Sequence, residues 1–219
     1  MRLLRLLTYK LFRLVWNDHF KRYPMAVVPL AESMRLGAIR ASGLRAYETS
    51  SEIWSGTVLR GILRTGGCIL IAGLPKHGKT YVAEMLSSLI TLDGDKVRFS
   101  NTSDLIYEEA EDRYGKTFRD KPKEQIRETL CNIGDELCEK DPAAILKELF
   151  SRGSRVIAGV RKVDELRSFI LSVPTFVIWV DRPGYERIED NTNLTKEYCD
   201  IVVSNDEKIE STLKHLLGL

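Results

Sequence analysis

The stretch Gly73-Leu74-Pro75-Lys76-His77-Gly78-Lys79-Thr80 fits the pattern G-x-x-x-x-G-K-[ST] at every position. It constrains the fold more than any other feature, because the pattern needs an apolar strand before it and a helix after it. Both are present. Residues 68–72, CILIA, form a short apolar run, and residues 80–92 read as a helix. The two glycines let the backbone curl so that its N–H groups converge on one point. The helix start adds the positive end of its dipole there. Such a point attracts phosphate oxygens. On this reading Gly73, Leu74, Pro75, Lys76, His77, Gly78, Lys79 and Thr80 all line an ATP-phosphate site. Lys79 is expected to reach the β- and γ-phosphates, and the Thr80 hydroxyl to ligate Mg2+. His77 reads as a solvated loop residue.

After this loop, short apolar runs alternate with helical stretches. Residues 96–99, 155–160 (RVIAGV), 175–181 (TFVIWVD) and 201–203 read as further strands. A largely helical segment covers 103–152, with breaks near 115–122 and at Asp141-Pro142. The Asp-Pro pair suits a helix start, with Asp141 as cap and Pro142 in the first turn. A short helix is expected over 164–171 and a closing one over 207–217. Strands that are apolar throughout and separated by helices predict an α/β domain, its parallel sheet covered on both faces.

The first 65 residues differ. Residues 2–16, RLLRLLTYKLFRLVW, set Leu3, Leu4, Leu7, Leu11 and Leu14 on one helical face, with Arg2, Arg5, Tyr9 and Arg13 elsewhere. That is an amphipathic basic helix. Two coverings compete for its leucines: packing on the domain or on a second copy of the chain, and contact with a membrane surface. Met34 is an alternative start. Weaker helical stretches follow at 30–44 and 51–63, the latter stopped by Gly66-Gly67. The chain thus divides into a helical extension, 1–65, and the α/β domain, 66–219. No run of about 18 apolar residues exists to span a bilayer. With 33 basic against 31 acidic residues, bulk charge gives no argument for nucleic acid. Cys68, Cys131, Cys138 and Cys199 form no CxxC pair, which suits idle thiols in a reducing cytoplasm.

An acidic partner for the metal would be expected at the end of an apolar strand. RVIAGV ends in Gly159-Val160, followed by Arg161 and no acid; TFVIWVD ends in Asp181; Asp164 and Glu165 lie just beyond Arg161. The three carboxylates remain open alternatives. Phosphoryl transfer mostly needs positive charge around the phosphates. Ligands of open parallel sheets bind beyond the carboxyl ends of the strands. Arg98, Arg161 and Arg182 are expected at such ends, with Arg127 on a helix and Arg187 shortly after Arg182.

Taken in order, the loop, KVRFS (96–100), YGKT (114–117), RETLCNIGDEL (127–137), Asp141-Pro142, VIAGVRKVDEL (156–166), VIWVDRP (177–183) and DIVVSND (200–206) resemble the nucleoside monophosphate kinase group. The similarity is greatest to the phage-type deoxynucleoside monophosphate kinases, and phosphomevalonate kinases share parts of the layout. The resemblance covers about residues 68–219. It implies the P-loop nucleoside triphosphate hydrolase fold with a five-stranded parallel core. It also implies a helical acceptor-binding insertion at about 101–152 and a lid at about 182–196. By position it implies that Arg98 and Arg127 hold the acceptor phosphate and that Arg161 bridges donor and acceptor. Arg182 and Arg187 would belong to the lid, and Asn205 would lie near the donor base. The implied reaction moves the γ-phosphoryl of ATP, with Mg2+, onto a (deoxy)nucleoside monophosphate. The alternatives are another small phosphate ester, such as phosphomevalonate, and a non-catalytic nucleotide-binding regulator. The family often has Asp-x-Arg where this chain has Gly159-Val160-Arg161. It also often has an arginine shortly after the Gly134 turn, where this chain has Cys138-Glu139-Lys140. His19 and His215 lie outside all these motifs.

Overall fold

A computed structural model of the chain describes residues 59, 62–64, 66–92, 94–185, 192–217 and 219. The expected helix at 2–16 and the stretch at 30–44 lie outside them.

Helical residues 62–64 lead into a turn in which Gly67 N–H donates to Ile62 O (2.8 Å) and Gly66 N–H to Leu63 O (3.0 Å), with Gly66 at φ +80°. This is the paired 6→1 and 5→2 closure of a left-handed helix stop, so Gly66-Gly67 ends the helix as expected. Leu59 and Leu63 are buried in the same core cluster as Ile69, Phe176 and Ile178. The packed core therefore includes residues N-terminal of position 66.

The α/β architecture is as expected. Five strands form one sheet: β1 (Cys68–Gly73), β4 (Phe99–Asn101), β5 (Val156–Val160), β6 (Thr175–Asp181) and β7 (Ile201–Ser204). Their order is β4-β5-β1-β6-β7, and every pair is parallel. Between β1 and β4 a two-stranded hairpin intervenes, β2 (Thr91–Leu92) with β3 (Asp95–Lys96). The helices are α1 (Lys79–Leu89), α2 (Thr102–Tyr114), α3 (Lys123–Leu137), α4 (Ala144–Ser151), α5 (Val163–Ile170) and α6 (Ile209–Leu217). Short 3-10 turns occupy Lys116–Asp120 and Lys196–Tyr198.

All six residues of β1 are buried, because alternate side chains enter two different cores. Ile69 and Ile71 pack with Val82, Ala83 and Leu86 of α1 and Leu213 of α6. Cys68, Leu70 and Ala72 pack on the other face with Leu146 of α4 and Leu166 and Phe169 of α5. A strand buried on both faces has no polar alternation, which is why it reads as a continuous apolar run. A satellite cluster of Ala110, Phe118, Ile126 and Ile133 joins α2 to α3. The breaks near 115–122 and 141–142 appear as the gaps α2–α3 and α3–α4. Asp141 lies just ahead of the helix it was expected to cap: its Oδ1 accepts from Ala143 N–H (3.0 Å), and α4 begins at Ala144.

The second sheet strand starts later than its sequence suggests. Lys96, expected within it, pairs with Thr91 in the hairpin, and Arg98 precedes β4. Arg98 O instead accepts from Arg155 N–H (2.9 Å), level with the amino end of β5. No helix among the described residues is long and apolar enough to cross a membrane.

Candidate functional site

Loop 73–80 leaves the carboxyl end of the central strand and enters α1 without a break. Three of its residues take positive φ: Gly73 (+146°), Lys76 (+63°) and Gly78 (+84°). Gly78 is the N-cap of α1, and its carbonyl accepts from Val82 N–H at 3.0 Å. Gly78 has no side chain with which to cap this N-terminus, which leaves its first N–H groups to other partners. Both motif glycines are also sterically required. A Cβ on Gly73 would lie 2.5 Å from Val180 O, and one on Gly78 would lie 2.1 Å from Asn205 Nδ2.

The ammonium of Lys79 folds back over the loop, donating to Gly73 O (2.8 Å) and Leu74 O (2.7 Å). It is thus tied to two carbonyls of the loop it follows. The exposed Thr80 hydroxyl donates to Asn101 Oδ1 (3.2 Å). Leu74 packs its side chain against the core, and Lys76 is exposed.

His77 corrects the sequence expectation of a solvated residue. Its side chain is only 2% exposed. Nδ1 accepts from Arg182 N–H (3.0 Å), and the carboxylate of Asp181 lies 3.4 Å away. With Nδ1 as acceptor, the imidazole proton sits on Nε2, which is buried and has no hydrogen-bond partner among the described residues. Asn205 Nδ2 donates to His77 O (2.9 Å), which makes Asn205 a brace for the Gly78 turn. Tyr185 approaches the imidazole edge-on, and the Arg182 guanidinium stacks 4.1 Å from the Tyr185 ring centre. Arg182 Nη1 also points at Lys76 O (3.4 Å). The segment after β6 is therefore attached to the loop by contacts about 105 residues apart in sequence.

Of the arginines expected at carboxyl ends of strands, two are there. Arg161 follows β5 and Arg182 follows β6, both exposed. Arg98 is not: it lies at the amino end of β4, on the opposite edge of the sheet, with Nη1 donating to Arg152 O (2.8 Å). The intervening hairpin, which uses up Lys96, shifts the strand and causes the difference. Arg127 is exposed on α3. That helix is linked to the Arg161 loop by an ion pair between Lys162 Nζ and Asp135 Oδ1 (2.6 Å). The expected lid is partly anchored. Leu194 is buried, its N–H donates to Arg161 O (3.0 Å), and Asn193 Oδ1 accepts from Val163 N–H (2.8 Å). Residues 193 and 194 therefore belong to the fixed framework. Arg187 lies outside the described residues.

The three candidate carboxylates have different surroundings. Glu165 is buried, and its Oε2 accepts from Arg161 N–H (3.1 Å) and Lys162 N–H (3.4 Å). Burial pushes its carboxyl pKa up, against the pull of these two backbone donors. It closes the first turn of α5 and is committed there. Asp164 is exposed and lies 3.8 Å from Arg167. Asp181 is half-exposed and accepts from Arg182 N–H (3.1 Å). Glu165→Ala is therefore expected to cost about 1–3 kcal/mol of stability, since two partly buried N–H groups lose their acceptor. Urea unfolding checks this; an unchanged midpoint would show that the two bonds do not hold the α5 start.

On β5 the position expected to carry an acid is closed. Gly159 sits at a register shift between β1 and β5, where Ile71 faces Ala158 and Ala72 faces Val160. Its φ is +107°, and a Cβ there would meet Thr102 Oγ1 at 2.2 Å. Thr102, nearly buried, instead donates its hydroxyl to Gly159 O (3.2 Å). The residues that sequence reasoning missed are Asn101, Thr102 and Tyr185. The first had a legible signal, because Asn101-Thr102-Ser103-Asp104 has the spacing of a capping box at a helix start.

No protein-family model matches the chain, and no curated protein matches its sequence. The class defined by the fold is a parallel α/β sheet with a glycine-containing loop between its central strand and the following helix.

Proposed function

We propose that the chain has a P-loop nucleoside triphosphate hydrolase fold and is an ATP-dependent phosphotransferase. In this reading it moves the γ-phosphoryl of ATP to a (deoxy)nucleoside monophosphate, giving ADP and the diphosphate. The observation that carries this reading is loop 73–80. Its glycines cannot bear side chains, its helix start is uncapped, and Lys79 is poised over the loop's own carbonyls. Such a loop offers N–H groups and one ammonium to a phosphate chain. Arg161 and Arg182, at the carboxyl ends of the strands flanking β1, add positive charge on the same edge of the sheet.

The Thr80 hydroxyl fits Mg2+. It is an exposed hard oxygen donor whose own proton is directed to Asn101. No cluster of three or more acidic, His or Cys side chains suited to a metal lies among the described residues. That suits an ion bound mainly by nucleotide phosphates and water, with few protein ligands. The ion would neutralise charge on the β- and γ-phosphates. Lys79 would exchange its two carbonyls for phosphate oxygens, and Arg161 would stabilise charge as it shifts between donor and acceptor. The acceptor oxygen of a monophosphate is already ionised at neutral pH, so no general base is required. The segment after Arg182 would close over ATP and exclude water, with His77 and Tyr185 at its root.

Two kinetic outcomes follow from these roles. Arg161→Ala lowers kcat much more than it raises the KM for ATP, because a bridging cation matters most in the transition state. Arg127→Ala mainly raises the acceptor KM. Steady-state kinetics separates them, and mutants that altered only ATP affinity would refute both assignments. The acceptor itself is decided by ADP release across common dNMPs, NMPs and phosphomevalonate. Acceptor-dependent release supports the enzyme; nucleotide binding with no acceptor-stimulated turnover supports a non-catalytic regulator. The closed acid position at Gly159 is the observation favouring that second reading. The four cysteines, with no CxxC pair, suit a reducing cytoplasm as the working compartment. The leucine face of the sequence at 2–16 suits self-association or peripheral membrane contact.

A further inference from the structure

The closed position on β5 raises the question of what orients the metal-binding hydroxyl. A threonine hydroxyl has one proton and two lone pairs. Only a hydroxyl whose proton is committed to a fixed acceptor presents its lone pairs to a cation in a defined direction. The carboxylates weighed above are engaged elsewhere. Glu165 is engaged by the backbone of Arg161 and Lys162, Asp164 lies near Arg167, and Asp181 accepts from Arg182 N–H on β6, on the other side of β1 from β5.

The hydroxyl of Thr80 is instead directed to Asn101. This residue ends β4, lies level with Ala158 of β5, and is the N-cap of α2. Its own N–H donates to Asp104 Oδ2 (2.8 Å), so its backbone is fixed at the junction of strand and helix. Thr102, the next residue, is the one that closes the Gly159 position. One short segment thus blocks an acid on β5 and supplies a neutral acceptor to Thr80.

We infer that Asn101 is the positioning residue of the metal site: its side-chain carbonyl holds the Thr80 hydroxyl so that the lone pairs face the divalent cation accompanying the nucleotide. The inference rests on the reading of loop 73–80 as a nucleotide site. Because the acceptor is neutral, the protein contributes less negative charge to the cation than an aspartate would, and the metal is correspondingly less tightly held.

Calorimetric binding of ATP to the full chain, with Mg2+ and with EDTA, tests it without turnover. The readout is the ratio of the two affinities. Asn101→Ser keeps an N-cap residue on α2 but is too short to reach Thr80. It should lower the ratio about tenfold, the lower end for loss of an outer-shell partner of a metal ligand, while affinity in EDTA stays the same. Asn101→Asp keeps both the cap and the acceptor and adds charge, so it should raise the ratio. This second variant carries the test by itself if the first does not fold. Ratios unchanged in the folded variants would overturn the role of Asn101. Failure of the wild-type chain to bind ATP under either condition would overturn the nucleotide-site reading itself, and this inference with it.

Discussion

Lys79→Ala is expected to abolish phosphoryl transfer while leaving the fold intact. The hydrogen bonds that Lys79 Nζ makes to Gly73 and Leu74 go to the loop's own carbonyls, and its side chain is not part of either sheet core. Both bonds are only partly buried, although Gly73 itself is buried, so water can take up the released acceptors. The melting temperature should therefore change little. Catalysis should change greatly. In the proposed reaction the ammonium would follow negative charge as it moves through the γ-phosphoryl group. Removing a single preorganised donor of this kind costs about 3 kcal/mol or more of transition-state stabilisation, or roughly a hundredfold in rate. The comparison is kcat/KM and thermal unfolding of mutant and wild type. A folded mutant with near wild-type turnover would remove loop 73–80 from the mechanism.

Gly159→Asp is expected to destabilise the protein by about 3 kcal/mol. Introducing an acid at this position would look like a gain of function from sequence alone. The backbone at this residue has φ +107°, a conformation that strains any L side chain, and the new Cβ would overlap the Thr102 hydroxyl. Denaturant unfolding measures the loss. Adding Thr102→Ala removes the overlapping oxygen but not the backbone strain, so it should recover only part of the stability. A Gly159→Asp variant as stable as wild type would mean that the register shift beside β1 is not fixed, and would reopen the β5 position as a metal site.

Much of the framework was legible because its signals are local. The buried strands β1 and β6 appear as apolar runs, and Gly66-Gly67 and loop 73–80 state their turns in residues that no other conformation needs. What escaped depends on distant partners. The burial of His77 is decided by Asn205 and by the Arg182 backbone, and neither is visible from a histidine between a lysine and a glycine. Glu165 resembles a site carboxylate in sequence, but its geometry as the closing acceptor of a helix turn appears only once α5 is placed against β5. KVRFS reads as a strand from its first residue because Lys96, Val97, Arg98 and Phe99 alternate polar and apolar, as a half-buried strand does. The hairpin before it takes Lys96 and moves the strand start to Phe99. The Thr80–Asn101 contact joins residues 21 apart across two strands, so only the parallel order of the sheet brings them together.

The proposed reaction transfers a phosphoryl group between two nucleotides. Phosphorus NMR of the wild-type chain with ATP, Mg2+ and a mixture of deoxynucleoside monophosphates tests it most directly. The γ-phosphate signal of ATP should decline while two new diphosphate β-signals grow in equal amounts, one from ADP and one from the acceptor. An ATP spectrum that stays unchanged, or one that loses its γ-signal to inorganic phosphate alone, would contradict it.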